Sequence, residues 1–272
     1  MKRDILVLLV VLMVAEISAV PIKSNIASRE ISTITSASMP TAADYIQDGL
    51  IAMWDGIENA GYGIHDDSAT KWIDCMSGLE FTPYGTLGDT VTFNSNCVTL
   101  SGGNSYLRRG SQEVKPIIQG NGSEAYFTVE LCNKPISDIR TKNFASYCGI
   151  GTLIGSYGYG VRWYVAENWA VRYLYVKNTP YTFGSQLTSE QPWTMTIVSD
   201  GNMTKWYLNG SLVRSGAHGS TTGWFDNWFL GGGSSSGNYW QGDIFSHRFY
   251  NRALSDAEIE ANYNIDKARF GL

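Results

Sequence analysis

Hydrophobic and polar residues alternate over short runs along most of the chain, and Gly, Asp or Asn interrupt these runs at short intervals. In residues 126–132 every second position is apolar, and Thr128 and Glu130 lie between the apolar residues. A period of two residues is that of a β-strand with one buried face and one solvent-exposed face. The pattern therefore predicts a strand here, with Glu130 on the solvated face.

Runs of the same character predict a series of further strands at residues 50–54, 79–82, 91–93, 97–100, 160–166, 169–176, 193–197, 205–208 and 211–213. Asn209-Gly210 separates the last two runs and indicates a hairpin, because both residues tolerate the positive φ of a type I′ turn. Glu167-Asn168 indicates a second two-residue connection. We therefore expect an antiparallel sandwich.

A helix is predicted only near the C-terminus. Ser255 and Glu258 have the spacing of a capping box, in which each side chain bonds to the backbone of the other residue. Apolar residues at 257, 259, 261 and 263 follow with a spacing that fits a short helix.

The N-terminal residues have a different character. Residues 1–19 resemble a signal peptide, with Lys2 and Arg3 before an apolar run at 5–15, although a short buried helix is the alternative. Residues 20–47 are rich in Ser and Thr and predict a linker or an assembly arm. The folded domain is expected to span residues 48–272, on a protein that is secreted or displayed at the cell surface.

Composition narrows the class of protein. The chain is 43% hydrophobic, which argues against disorder, and its net charge of −5 argues against a nucleic-acid partner. Its apolar runs are too short for an integral membrane protein. The 16 Tyr, 9 Trp and 29 Gly residues are typical of an all-β domain. The four cysteines, Cys75, Cys97, Cys132 and Cys148, allow three disulfide connectivities; pairing of sequence neighbours and buried free thiols both remain open.

Several segments together resemble the laminin G-like branch of the concanavalin A-like lectin/glucanase superfamily. They are residues 49–55 (GLIAMWD), 126–131 (YFTVEL), 193–198 (WTMTIV), 206–213 (WYLNGSLV), 230–233 (LGGG), 240–244 (WQGDI) and 249–259 (FYNRALSDAEI). The resemblance covers roughly residues 48–265. It implies a jelly roll of two antiparallel sheets, in a family whose members are mostly non-catalytic modules that bind glycans or proteins.

Catalytic motifs are sparse. Glycosidases with this fold carry Glu-x-Asp-x-x-Glu on one strand, which places the carboxylates on one face, and this spacing does not occur in the sequence. We therefore expect that the chain is not an enzyme, with a glycosidase built from dispersed acids as the less favoured alternative. Some relatives hold calcium, but none of their ligand motifs matches this sequence closely enough to carry over. From the residues alone, Asp66 and Asp67 are candidate calcium ligands in a loop, for which a solvated turn is the alternative.

Aromatic and arginine side chains are the best candidates for ligand binding. Alternation places Trp163 in the core and turns Arg162 and Tyr164 to the other face. A ring beside a guanidinium suits sugar stacking together with hydrogen bonds to hydroxyl groups. The candidate ligand residues are Tyr157, Tyr159, Arg162, Tyr164, Arg172, Trp224 and Tyr239.

The sequence thus predicts a non-catalytic, surface-displayed adhesion module that recognises carbohydrate or another cell-surface ligand. The alternative is a structural virion-surface or fibre protein of a bacteriophage, which would assemble or oligomerise through residues 1–47.

Overall fold

The computed structural model describes residues 38–59, 63–64, 68–101, 105–109, 126–135, 145–152, 159–165, 171–176, 179–181, 191–217, 228–231 and 240–272. Met39–Leu272 form one compact unit, and Met1–Ser38 are assigned to a separate unit. The predicted domain boundary at residue 48 therefore lies inside the compact unit.

The elements are η1 (Ala42–Asp44), β1 (Leu50–Asp55), β2 (Glu58–Asn59), β3 (Gly63–Ile64), β4 (Trp72–Ile73), β5 (Glu80–Tyr84), β6 (Val91–Phe93), β7 (Val98–Ser101), β8 (Tyr106–Arg109), β9 (Tyr126–Pro135), β10 (Ala145–Thr152), β11 (Tyr159–Val165), β12 (Val171–Val176), β13 (Thr179–Tyr181), β14 (Trp193–Asp200), β15 (Met203–Leu208), β16 (Ser211–Ala217), β17 (Trp228–Leu230), β18 (Gln241–Tyr250) and α1 (Asp256–Phe270). Here η1 is a 3-10 helix and α1 is an α-helix.

Over the described residues, the strands form two eight-stranded antiparallel sheets and a small hairpin. The first sheet has the order β16-β15-β14-β9-β18-β7-β6, and β1 also pairs with β18. The second sheet has the order β13-β12-β11-β10-β17-β8-β5-β4, and β2 and β3 form a small separate hairpin. The predicted all-β sandwich of two antiparallel sheets with a C-terminal helix is confirmed.

The main hydrophobic core lies between the two sheets. Phe127, Val129 and Leu131 of β9 contribute every second residue of their strand to this core. Leu107 and Leu230 face them from the second sheet and are also buried. This alternation, already visible in the sequence, assigns one face of each sheet to the core.

The other face of the first sheet is covered by α1 rather than by solvent. Tyr250 and Leu254 form a second buried cluster there with Ile259 of the helix. Glu130, which was predicted to be solvated, is fully buried beneath the helix. That prediction is wrong because alternation identifies the two faces of a strand but does not reveal what packs on the second face.

A buried ion network joins the helix to this sheet. The Arg248 Nε lies 2.8 Å from Glu130 Oε2, and its two terminal nitrogens each lie 2.8 Å from an oxygen of Asp266 on α1. Tyr45 Oη donates a hydrogen bond of 2.7 Å to Asp266, and Thr194 donates another of 2.8 Å. The helix is thereby held in one position on the sheet.

The segment that precedes β1 packs against the same helix. Tyr45 is buried, and the guanidinium of Arg248 lies 4.1 Å from the centre of its ring. The backbone N–H of Ile46 donates to the side chain of Asn262 on α1. Residues 41–47 therefore belong to the packed structure, a role that the sequence does not reveal because the partners lie more than 200 positions away.

Two local predictions are confirmed. Asn209 and Gly210 join β15 to β16 with φ values of 51° and 73°, as a type I′ turn requires. Ser255 and Glu258 form the expected capping box at the start of α1. The predicted two-residue connection at Glu167-Asn168, between β11 and β12, lies outside the described residues.

The cysteines do not follow the pairing of sequence neighbours. Cys75, Cys97 and Cys132 are free thiols, so neither Cys75–Cys97 nor Cys132–Cys148 is formed. Burial raises the pKa of Cys97 to about 11. Within the described ranges, no helix has the length and apolar character needed to cross a membrane.

Replacing Gly210 with Val should lower the free energy of unfolding by at least about 1 kcal/mol, because a β-branched residue disfavours positive φ. The new Cβ would also lie 3.0 Å from Tyr263 Cδ1. Urea unfolding measures the loss. Gly210→Asn is the control, since Asn tolerates this conformation; equal losses in both variants would contradict the argument from φ.

Replacing Arg248 with Met should lower the free energy of unfolding by about 3–5 kcal/mol, because Glu130 and Asp266 would be left buried without their cation. Arg252→Met is the matched control. The ion pairs of Arg252 with Glu258 and Asp48 are partly exposed. The Arg252→Met substitution should therefore lower the free energy of unfolding by about 1 kcal/mol or less. Similar losses on denaturant unfolding would show that the buried network does not anchor the helix.

Candidate functional site

The outer face of the second sheet, defined as the face directed away from the first sheet, carries exposed polar and aromatic side chains. In β5, Phe81 is buried between the sheets while Thr82 and Tyr84 are exposed. In β8, Leu107 is buried while Arg108 is exposed. The alternation therefore places the exposed residues of both strands on the outer face.

Two tyrosines form a stacked pair on this face, which we call the tyrosine platform. Tyr84 and Tyr106 are register partners on neighbouring strands, and their ring centroids lie 4.6 Å apart with an interplanar angle of 26°. Tyr84 is 52% exposed, whereas Tyr106 is only 4% exposed. The buried ring thus supports the exposed ring, which can accept a ligand with little loss of side-chain freedom.

The glycine that follows the platform lets the chain approach β8 closely. Gly85 has a φ of 125°, and a Cβ at this position would lie 2.6 Å from Thr90 Oγ1 and 3.0 Å from Ser105 Cβ. A side chain here would collide with both neighbours and would strain the backbone. Gly85 therefore helps to hold Tyr84 at the end of its strand.

Arg108 lies two register pairs away from the platform, on the same face of the sheet. It pairs with Thr82 on one side and with Phe229 on the other. No residue that the structure describes forms an ion pair with Arg108. Its guanidinium can therefore offer its N–H donors to a ligand.

The backbone register relates the predicted ligand residues to this site. Arg162 pairs with Gly149, which pairs with Phe229, which in turn pairs with Arg108. Arg108 and Arg162 thus occupy one row across the second sheet, three strands apart. Tyr164 lies two positions further along the same strand as Arg162. A ligand-binding role for Arg162 and Tyr164 stays a prediction.

The other predicted ligand residues are more dispersed. Arg172 lies on β12, and Tyr159 begins β11 opposite Thr152. The remaining candidates lie outside the described residues; they are Tyr157, Trp224, Tyr239 and the possible calcium ligands Asp66 and Asp67. In the part of the chain that the structure describes, no three His, Cys, Asp or Glu side chains form a potential metal site.

The tyrosine platform and Arg108 were not predicted from the sequence. The predicted strand ended at Thr82, whereas β5 continues through Pro83, a residue that normally interrupts a ladder of hydrogen bonds, to Tyr84. The strand continues here because β4 pairs only with Glu80 and Phe81, so Pro83 needs no donor on that side. The alternation of Tyr106, Leu107 and Arg108 was the signal that could have identified β8.

The buried titratable groups do not contribute to the outer face. His247 and Glu130 are inaccessible to solvent, and His247 Nδ1 lies 2.9 Å from the backbone oxygen of Glu130. The imidazole stacks on Trp54 at 5.7 Å between centroids. Burial lowers the pKa of His247 to about 3, so the ring is neutral at physiological pH.

The lowered pKa of His247 predicts a pH dependence of stability. Between the ordinary value of about 6.5 and the folded value of about 3, the unfolded chain binds a proton that the folded chain does not. The free energy of unfolding should therefore decrease as the pH is lowered from 7 to 5, because the unfolded chain gains a proton that the folded chain excludes. His247→Asn should show a smaller fall in urea unfolding over the same interval; parallel curves would contradict the lowered pKa.

Comparison with curated protein sequences finds no match to this chain. Comparison with solved structures finds the same fold in several proteins. A sialidase of Trypanosoma rangeli in complex with sialic acid aligns with a TM-score of 0.58 and 14% identity, over 85% of this chain and 34% of the sialidase. This chain thus spans about a third of the sialidase length.

Two further structures show the same similarity. Domain 4 of an extracellular arabinanase from Geobacillus stearothermophilus, in complex with arabinotriose, aligns with a TM-score of 0.52 and 18% identity over 79% of this chain and 98% of that domain. The binding domain of botulinum neurotoxin serotype D aligns with a TM-score of 0.54 and 15% identity, over 80% of this chain and 51% of that domain.

These similarities correct the prediction that the chain is not an enzyme. That prediction was drawn partly from a family of mostly non-catalytic modules, yet the solved sialidases include this fold within a hydrolase chain. The fold therefore gives no reason to exclude catalysis. At 14% identity the similarity shows the fold alone, and it assigns no activity to this chain.

The sequence itself identifies the family. A laminin G model of the concanavalin A-like lectin/glucanases superfamily matches residues 101–260, which is more than half of the chain. The match includes β9, β14, β15 and β18 of the first sheet and most strands of the second. This chain therefore belongs to the concanavalin A-like lectin/glucanases superfamily.

Proposed function

We propose that this protein binds glycans on the outer face of the second sheet. The observation that carries the proposal is the exposed ring of Tyr84, stacked on the buried ring of Tyr106 beside Arg108. The supporting ring holds Tyr84 in place, so the exposed face of the Tyr84 ring can pack on a ligand with little further ordering of the side chain.

The chemistry of this group suits a sugar. The apolar C–H face of a pyranose or furanose ring can pack on a tyrosine ring, while the hydroxyl groups need hydrogen-bond partners. Arg108 supplies donors in a planar arrangement, and the exposed hydroxyl of Thr82 supplies both a donor and an acceptor. Arg162 and Tyr164 would extend the site along β11.

The similarities to known proteins support this proposal at the level of the fold. One domain with this fold was solved with arabinotriose bound, and the chain belongs to a superfamily of lectins and glucanases. Because one fold hosts many functions, the proposal depends on the particular side chains of the site. These are the stacked rings and Arg108, which forms no ion pair with any residue that the structure describes.

The site is proposed to serve adhesion outside the cell. Residues 1–19 have the character of a signal peptide, and the part of the predicted linker (residues 20–47) that precedes the packed segment 41–47 would display the domain. Mass spectrometry of the native N-terminus tests this part of the proposal. An intact N-terminus buried in a symmetric assembly would instead favour the structural role on a virion.

Replacing Tyr84 with Ala should weaken glycan binding by about tenfold, the loss expected for one stacked ring. Stability should change by less than about 1 kcal/mol, because the ring is half exposed. Binding is measured on an array of neutral and acidic oligosaccharides, followed by titration of the best ligand. Tyr164→Ala tests, by the same measurements, whether the glycan site extends to β11.

Tyr126→Ala is the matched control for Tyr84→Ala. Tyr126 is 44% exposed but lies on the first sheet, so its removal should leave binding unchanged. An array on which the wild-type protein retains no glycan would rule out the proposal. Equal losses of glycan affinity in Tyr84→Ala and Tyr126→Ala would show that the binding site is not at the tyrosine platform. Products released from a bound glycan would show that the site also hydrolyses its ligand.

A further inference from the structure

We infer that an ordered water molecule is bound inside the sandwich, among the side chains of Asn133, Trp193 and Trp240. These residues are buried with the main core between the two sheets. The water site is therefore separate from the proposed glycan site on the outer face of the second sheet, and it does not depend on glycan binding.

Asn133 is a polar residue on a face of β9 that is otherwise apolar. It lies two positions after Leu131, which belongs to the main core, so both side chains point between the sheets. Asn133 is fully buried, and neither its Oδ1 nor its Nδ2 forms a hydrogen bond with a residue that the structure describes. Buried side-chain amides are normally hydrogen-bonded, because burial otherwise removes the bonds that they make in the unfolded chain.

Two indole groups that need a hydrogen-bond acceptor lie beside Asn133. Trp193 is its register partner on β14, so the Cβ atoms of the pair are about 4.5–5.5 Å apart. The ring centroid of Trp240 lies 6.2 Å from that of Trp193. Both indoles are buried, and neither Nε1 finds an acceptor among the described residues. The unsatisfied polar atoms are thus gathered at one place in the core.

Other buried indoles of the same core show a different arrangement. The Nε1 of Trp54 donates to the backbone oxygen of Trp72 at 3.1 Å, and the Nε1 of Trp72 donates to the backbone oxygen of Asp55 at 2.9 Å. These two N–H groups therefore have protein acceptors. Trp193 and Trp240 are buried to a similar degree, and water supplies the acceptor that the backbone supplies to Trp54 and Trp72.

The surroundings of the three side chains select a small neutral ligand. Their exposed fractions are at most 3%, so the ligand must be enclosed by the protein. The neighbours on the same face are apolar: Ile244 is the register partner of Asn133 on β18, and Met195 lies two positions after Trp193. An ion would lose its hydration here without a charged partner, which is costly.

Water has the hydrogen-bonding capacity that this group requires. The Asn133 amide offers two N–H donors and one oxygen acceptor, and each indole offers one N–H donor. A water molecule that accepts from two of these N–H groups and donates to Asn133 Oδ1 makes about three hydrogen bonds, the usual number for buried water.

The bound water joins parts of the chain that are distant in sequence. It connects β9 and β14 to Trp240, which directly precedes β18. The backbone N–H of Trp240 also donates to the oxygen of Gly231 at 2.7 Å, just after β17 of the second sheet. The water therefore lies where the two sheets are linked and contributes to holding them together.

The inference is tested by nuclear magnetic resonance on the isotopically labelled, full-length protein. The indole signals of Trp193 and Trp240 are assigned by their loss in Trp193→Phe and Trp240→Phe. In the wild-type protein both N–H groups, and the side-chain amide of Asn133, should show Overhauser cross-peaks to water in the rotating frame. Trp54 and Trp72 are internal controls and should show none, because their N–H groups donate to the backbone.

Asn133→Leu removes the polar atoms with little change of shape. The indole cross-peaks to water should disappear, and the urea concentration at the midpoint of unfolding should fall, because the two N–H groups lose the water that Asn133 held. Asn133→Ser keeps a donor and an acceptor and should retain the cross-peaks, so it tests the site even if Asn133→Leu does not fold. Met195→Leu, a volume-conserving change on the same face, is the control for repacking and should retain both the cross-peaks and the midpoint.

Three outcomes overturn the inference. Absence of water cross-peaks at Asn133, Trp193 and Trp240 in the wild-type protein would show that the N–H groups are satisfied within the protein. Indole cross-peaks that persist in Asn133→Leu would show that Asn133 does not hold the water. A higher urea midpoint for Asn133→Leu would show that the amide is dry, since removal of an unpartnered buried polar group stabilises a protein. Each of these outcomes leaves the proposed glycan binding unaffected.

Discussion

The position of the C-terminal helix depends on one buried arginine. Arg248 is fully buried and lies between Glu130 of the first sheet and Asp266 of the helix. Charged groups lose their hydration on burial, so such an arrangement is tolerated only when each charge has partners in good geometry. Two carboxylates face one guanidinium. Hydroxyl groups of Tyr45 and Thr194 donate further hydrogen bonds to Asp266, and the Thr196 hydroxyl donates to the other oxygen of Glu130. The network therefore permits few alternative positions of α1.

The helix decides which face of the sandwich can bind a ligand. It covers the outer face of the first sheet, and Tyr250 and Ile259 form part of a closed hydrophobic layer there. The exposed Tyr84 and Arg108 lie instead on the outer face of the second sheet. A buried structural network and a surface site thus occupy opposite sides of the same sandwich.

The fold by itself does not separate a binding module from a hydrolase. Proteins solved with this fold include a sialidase and a domain of an arabinanase, and their identities of 14% and 18% carry information about architecture only. Function resides in particular side chains placed on the scaffold. In this chain the informative group is the stacked pair of Tyr84 and Tyr106 with the neighbouring Arg108, for which the described residues provide no ion-pair partner.

The sequence by itself determined the features that depend on neighbouring residues. Alternation along residues 126–132 identified a core strand, and Asn209-Gly210 identified a hairpin, because strand period and turn conformation are local properties. Only the tertiary structure decided that Glu130 is buried and that Tyr45 belongs to the folded unit, since both contact a helix far away in the chain. Likewise Tyr84 became part of a site only because β8 pairs beside it and places Tyr106 under its ring.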